Sequence, residues 1–332
     1  MSPKYRYTEE DSLCLKRVKR GRGFSYLDEN GNKIEDEKKL KRIKNLVIPP
    51  MWTEVHICRF DDGHIQATGR DLKGRKQYIY HSEWEKIRQE EKFQRMYEFG
   101  NKLPKMRKKA HQDLKKRKWN KSKILALMVS ILDETGIRIG NTHYAKQNQT
   151  YGLTTLRRKH MEVDGERLLL SFKGKSNKER EVSIEDVSII NHVKRVSELP
   201  GYELFKYKDE DGKIQSIDSH DVLLYIRENM GEEFTCKDFR TWVGSRLAIE
   251  LFQDAIDHQK EFPRKKLETI LVRMVADELG NTPTICKGYY IHPVILNKVD
   301  IGEFPLKNPF RKTNSPTSLD HSEKLLMKLL EK

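Results

Sequence analysis

Cysteine is scarce here: four in 332 residues, at Cys14, Cys58, Cys236 and Cys286, with no C-x-x-C pair among them. That spacing argues against a zinc site and against a secreted disulfide scaffold. Long apolar runs are missing as well, since none approaches the roughly 20 residues that cross a bilayer. The N-terminal stretch MSPKYRYTEEDSLCLKRVKRGRGF is charged throughout and lacks the apolar core of a signal peptide. The expectation is a soluble, cytoplasmic protein with no membrane partner, nucleoid-associated if its source is bacterial. Several site signatures are absent too. No G-x-x-x-x-G-K-[ST] occurs, GRGF and GIRIGN are too short for a dinucleotide fingerprint, H-E-x-x-H is missing, and the 11 histidines are scattered. No cofactor and no metal ion is therefore expected. Acidic residues fall short of basic ones, 50 against 65, giving a net charge of +15 and a pI near 9.4. A surplus of that size predicts a polyanionic partner, with nucleic acid first.

What the chain does contain divides in two. Its length allows two domains and a core that needs no staples. The first part reads as β-rich: GRGFSYLDENGNKI holds an Asn30-Gly31 hairpin signal, and EVHICRFDDGHIQATGRDLKGRKQYIYH breaks into strands at Asp62-Gly63 and Lys73-Gly74. From Ser82 onward the pattern turns helical. In SKILALMVSILDETG, Ile124, Leu125, Leu127, Met128, Ile131 and Leu132 fall on one helix face, with Ser122 as a candidate cap and Gly136 at the end. ERLLLSFKGKSNKEREVSI is the exception, a hairpin with Lys175 at its tip. Thr235 and Asp238 have the spacing of a capping box, which places Arg240 near a helix start. Gly280 suits the end of the helix in PRKKLETILVRMVADELG. NPFRKTNSPTS reads as a loop, and HSEKLLMKLLEK as a closing amphipathic helix. The expected fold is α+β: a small β-rich domain over 1–85, then a larger, mostly helical catalytic domain over 86–332 that carries a short β-hairpin.

Between these parts, KLPKMRKKAHQDLKKRKWNK (102–121) has 10 Lys or Arg in 20 residues and a single acid, Asp113. With so few local ion-pair partners, a phosphate-facing surface is expected. The helical region otherwise offers cations and tyrosines, a combination suited to a phosphodiester. Attack by a tyrosine oxygen builds negative charge at phosphorus, which guanidinium groups can hold bidentately, while a lysine protonates the departing alkoxide. By composition alone, the first reading makes Tyr289 and Tyr290 packing residues, Arg138 and Arg240 helix-end salt bridges, and Lys175 an ordinary turn lysine.

Seven segments in order reverse that reading. IPPMWTEVHIC, GHIQATGRDLKGRKQYIYH, GIRIGN, YGLTTLRRKH, FKGKSNKE, KDFRTW and LGNTPTICKGYYIHP resemble those of the compact type IB DNA topoisomerases of bacteria and poxviruses, across nearly the whole chain. The resemblance implies that Tyr290 is the nucleophile, Arg138 and Arg240 clamp the scissile phosphate, and Lys175 is the general acid. Poxvirus and eukaryotic relatives have a histidine where this chain has Asn281, whose NH₂ can still donate to a non-bridging oxygen but cannot become cationic. It further implies DNA contacts for Gln77, Tyr78, Tyr80 and Tyr144. Lys237 is open between a phosphate contact and a solvated helix start. Tyr289 and His292 are expected to be structural. The implied activity is relaxation of positive and negative supercoils through a 3′-phosphotyrosyl intermediate, without ATP or metal, by a monomer that clamps supercoiled duplex DNA. Two rivals stay open: a tyrosine recombinase, disfavoured by Lys237-x-x-Arg240 in place of H-x-x-R, and a non-catalytic basic DNA-binding protein.

Overall fold

The computed structural model describes residues 5–304 and 315–331, so most of the loop expected over 308–318 lies outside the described residues. Tertiary contacts divide the chain into two compact units, Met1–Lys92 and Phe93–Lys332.

The first unit is built on strands β1 (Leu15–Arg20), β2 (Gly23–Leu27), β3 (Thr53–Ile57), β4 (Ile65–Arg70) and β5 (Lys76–Tyr80), with helix α1 (Glu37–Asn45) inserted after β2. The strands form one antiparallel sheet in the order β2-β1-β3-β4-β5. Alternate side chains along β1 and β3 (Leu15, Val55, Ile57) meet Ile34 and Ile43 in a small apolar core. The first hairpin turn is not at Asn30-Gly31. It sits at Gly21-Arg22, where the Arg20↔Gly23 register leaves a two-residue connection and Gly21 takes φ +55. Asn30-Gly31 instead turns the chain toward a single Leu27↔Lys33 bridge. Helix α2 (Ser82–Gln94) begins where the sequence turns helical, and the division between the two contact units falls within it, after Lys92. Trp84 packs edge-on against Tyr5 and His64, at 4.9 and 4.8 Å, holding the helix start to the first unit.

The second unit is mainly helical. Its elements are α3 (Met96–Leu114), α4 (Lys121–Thr135), α5 (Thr142–Asn148), β6 (Met161–Asp164), β7 (Arg167–Lys173), β8 (Glu179–Ile184), α6 (Val187–Ser197), β9 (Lys206–Lys208) and β10 (Ile214–Ser216). They continue as α7 (Ser219–Met230), α8 (Cys236–Glu250), α9 (Phe252–Glu261), α10 (Leu267–Leu279), α11 (Pro283–Tyr289), α12 (Pro293–Asp300) and α13 (His321–Leu330). Helix α4 is the hub, buried on every face from Lys123 to Val129. Its cap is Asn120 rather than Ser122. Asn120 is the last extended residue and accepts the Lys123 N–H, while the Ser122 hydroxyl donates to the Asn120 oxygen at 3.0 Å. The predicted hairpin β7–β8 forms, and short β6 adds a third strand in the order β6-β7-β8. Strands β9 and β10 pair separately. These short strands, of 3 or 4 residues, escape the sequence reading because they hold too few alternations.

The basic tract corrects an expectation. Half of its cations are engaged by acids outside the tract or by Asp113 itself. Lys102 pairs with Glu98 and Glu233, Arg107 with Asp133 and Glu323, Lys109 and Lys116 with Asp113, and Lys121 with Asp221. The unpaired remainder among the described residues is Lys105, Lys108, Lys115, Arg117 and Lys118, all exposed. Arg107 belongs to a buried network. It donates to both oxygens of Glu323, at 2.6 and 2.8 Å, and the Trp242 indole N–H donates to the same carboxylate at 2.9 Å. Glu323 thereby fixes α13 to α3 and α8.

Candidate active site

The last carbonyls of a helix have no partner within it and need one elsewhere. At the end of α10 they are taken by arginines. Arg180 on β8 donates to Asp277 O at 2.9 Å and also to Glu278 O. Arg240 on α8 donates to Leu279 O at 3.1 Å and to Gly136 O. Arg138, in the extended segment after α4, donates through both terminal nitrogens to Gly280 O at 3.2 Å and also to the Asn281 side-chain oxygen. Three guanidinium groups thus surround one helix terminus, whose partial negative charge favours them. Gly280 closes α10 in the left-handed region, with φ +59. A Cβ there would lie 2.7 Å from Arg180 Cδ and Nε.

Tyr290 follows α11 directly. Its ring centroid lies 5.0 Å from the Arg240 guanidinium carbon. Helix α8 supplies its seat from successive turns. Gly244 lets the two backbones touch, since a Cβ there would stand 2.6 Å from Tyr290 O. The Ser245 hydroxyl donates to Tyr290 O at 3.3 Å and accepts the His292 N–H at 2.9 Å. The start of α8 is set by the predicted capping box, in which Asp238 accepts the Thr235 N–H at 2.8 Å.

Electrostatics give the cluster its character. Burial, then repulsion from Arg240, lowers the Arg138 guanidinium to about 10, against an opposing pull from Tyr290. Burial likewise lowers Arg240, with Tyr290 opposing, and lowers Arg180, with Arg240 adding to the effect. Arg138 still stays cationic at neutral pH. Among the described residues, Arg240 Nε and Asn281 Nδ2 are buried donors with no hydrogen-bond partner. Each such donor costs about 1–3 kcal/mol. Crowded cations and unused donors together suit an oxyanion.

The family description "Eukaryotic DNA topoisomerase I, catalytic core" matches residues 81–302, and "Bacterial DNA topoisomerase IB, N-terminal domain" matches residues 23–71. The DNA topoisomerase 1B of Acanthamoeba polyphaga mimivirus is 35% identical over 282 residues, covering 83% of this chain and 84% of that one. The chain belongs to the type IB DNA topoisomerases. Vaccinia virus (strain Copenhagen) DNA topoisomerase 1B is 25% identical over 243 residues, 70% of this chain and 71% of that one. A solved XerH site-specific recombinase matches at TM-score 0.33 and 16% identity, over 53% of this chain and 48% of that chain, a likeness that carries no argument. The enzyme is an isomerase whose substrate is DNA. Among its described residues no helix is long and apolar enough to cross a membrane.

Of the residues anticipated for this topoisomerase, Arg138, Arg240, Asn281 and Tyr290 lie together. Lys175 stands exposed at the β7–β8 tip, where it makes no hydrogen bond or ion pair among the described residues. Lys237, exposed in the first turn of α8, has its ammonium 5.9 Å from the Tyr289 ring centroid. Tyr144 is 44% exposed on α5, beside His143. In the first unit, Tyr78 and Tyr80 stack at 5.9 Å on one face of β5. Gln77 points to the other face and donates to Asp71 at 3.0 Å. His292 caps α12, accepting the Val294 N–H at 3.2 Å, and its ring lies edge-on to Phe93. The residue missed by sequence reading is Arg180. It shares the inward face of β8 with buried Val182 and Ile184, and a cation at an inward strand position was the available signal.

Proposed function

We propose that the enzyme relaxes supercoils of both signs by transient single-strand cleavage with Tyr290 as nucleophile. The phenolic oxygen of Tyr290 bonds to a backbone phosphorus, releasing its proton to water, and the bond from phosphorus to the 5′ oxygen breaks. Lys175 gives its proton to that departing oxygen, leaving a 3′-phosphotyrosyl ester and a 5′-hydroxyl. Arg138 and Arg240 hold the non-bridging oxygens as charge builds on phosphorus, and Asn281 Nδ2 donates to one of them. Rotation about the intact strand releases torsion. The 5′-hydroxyl then attacks the phosphotyrosine and returns its proton to Lys175, and Tyr290 leaves as phenolate and takes a proton back from water. The ester conserves the broken bond's energy, so the cycle needs no ATP, and guanidinium groups take the charge-holding task without a metal ion. One chain carries all five groups, so a monomer suffices.

The observation carrying this reading is the convergence at the end of α10: Arg138 and Asn281 bonded to each other, Arg240 beside the Tyr290 ring, and two buried donors left free to take an oxyanion. Tyr78 and Tyr80, exposed and stacked on β5, are proposed to meet duplex DNA from the first unit, with Tyr144 doing so from the second. Gln77, on the opposite face of β5 where its side chain donates to Asp71 in the free protein, is proposed as a further DNA contact. Lys237 is proposed to lie near the phosphate backbone at the start of α8. Incubating positively and negatively supercoiled plasmid with the enzyme in EDTA tests the proposal. Stepwise relaxation of both is expected. Recombinant products, or a mobility shift with unchanged topology, would overturn it.

A further inference from the structure

The hairpin that carries Lys175 has little of its own to hold its tip. Ser176 and Asn177 both take positive φ, 64° and 61°, and a Gly174 N–H to Lys178 O bond of 2.8 Å closes the loop. The ladder below ends with the pairs Phe172↔Arg180 and Lys173↔Glu179. Arg180 is therefore one pair away from the tip, and it reaches out of the sheet. Its guanidinium bridges two successive carbonyls, Asp277 O and Glu278 O, just before the residues that bind Arg138 and Arg240. Its stem lies across Gly280 so closely that a Cβ there would stand 2.7 Å from both Cδ and Nε. This is a seat shaped for one side chain in one orientation.

From this geometry we infer that Arg180 is a positioning residue for strand cleavage: its two-pronged grip on the end of α10 fixes the β7–β8 hairpin so that Lys175 is delivered to the departing oxygen. The inference rests on Lys175 being the general acid. A strand rises about 3.3 Å per residue, so freedom at Arg180 carries to a tip only a few residues on. Proton transfer needs heavy atoms within about 2.6–3.2 Å and tolerates little such freedom.

Single-turnover cleavage of an end-labelled duplex, with either oxygen or sulfur bridging at the 5′ position, tests this. A thiolate leaves without protonation, so loss of the acid is masked on the sulfur substrate. Arg180→Ala is expected to slow cleavage of the oxygen substrate by about 10- to 100-fold, up to the lower end of the usual general-acid contribution, since the acid is misplaced rather than removed. It should return close to the wild-type rate on sulfur, as Lys175→Ala should, and the double variant should be no slower than Lys175→Ala alone. Arg180→Lys, which keeps charge but loses the fork, should fall between Arg180→Ala and wild type. It also serves as the test variant if Arg180→Ala loses non-covalent DNA binding through misfolding. Equal slowing of Arg180→Ala on both substrates, with Lys175→Ala rescued, would overturn the inference in favour of direct phosphate contact. So would an unchanged rate on oxygen. Failure of sulfur to rescue Lys175→Ala would instead remove Lys175 as the acid, and the inference with it.

Discussion

Two adjacent tyrosines differ in the cation each ring faces. Tyr290 lies beside buried Arg240, whereas Tyr289 lies beside Lys237 in the exposed first turn of α8. A guanidinium that cannot swing away is the better support for phenolate and phosphorane charge, because it needs no reorganisation as that charge develops. Tyr290→Phe is accordingly expected to abolish relaxation, and with it the covalent adduct on end-labelled DNA. Tyr289→Phe should keep relaxation within a few-fold of wild type. The opposite pattern would move the nucleophile by one residue. Candidate side chains were legible in the sequence: Arg138, Arg240, Asn281 and Tyr290 were all named from local spelling, and the fold brings them to one place. Arg180 was not. Its acceptors are the carbonyls of Asp277 and Glu278, and a peptide carbonyl is the same whatever residue bears it. No pattern of residue types announces a side chain whose partner is backbone.

Among the elements, α8 does most to shape the site. It presents Arg240 near its start, Gly244 under Tyr290, and Ser245 against both Tyr290 and the His292 N–H. Gly244 is there for close approach rather than for turning, since it lies inside a regular helix. Gly244→Ala should therefore gain helix propensity and still lose function, because a methyl group would stand 2.6 Å from Tyr290 O and 3.0 Å from its Cβ. The expected outcome is a fall in the cleavage rate of tenfold or more, by the about 100-fold cost of a 1 Å misplacement, with non-covalent DNA affinity little changed. Quench-flow cleavage alongside an equilibrium binding titration would separate the two. Helix existence and type were well announced by apolar periodicity in α4, and the capping box of α8 was visible in Thr235 and Asp238. The cap of α4 was less so, because Asn120 and Ser122 both suit that role and only backbone geometry selects Asn120.

For the whole molecule, net charge and usable charge are different quantities. The tract over 102–121 looked almost free of ion pairs in one dimension, yet folding brings Glu98, Asp133, Asp221, Glu233 and Glu323 to it. Arg107 is spent on structure. The five exposed cations without acids, Lys105, Lys108, Lys115, Arg117 and Lys118, remain available to phosphates. Replacing those five by Gln should flatten the dependence of log affinity on log salt, by about 0.9 for each phosphate no longer neutralised, while leaving Tm nearly unchanged. Replacing Arg107 should do the reverse, lowering Tm with little effect on the slope, since it strands buried Asp133 and Glu323. A single titration series of both variants would check the partition.

The grip on α10 has one more consequence. In the free enzyme the arginines rest on neutral peptide oxygens, so the phosphate of the proposed reaction would compete with carbonyls already in place at every donor but Arg240 Nε and Asn281 Nδ2. Affinity then reports only the margin by which a full anion outbids a carbonyl. Under the proposed reaction, a site arranged this way would discriminate against uncharged backbones and would let the resealed strand go when its turn is done.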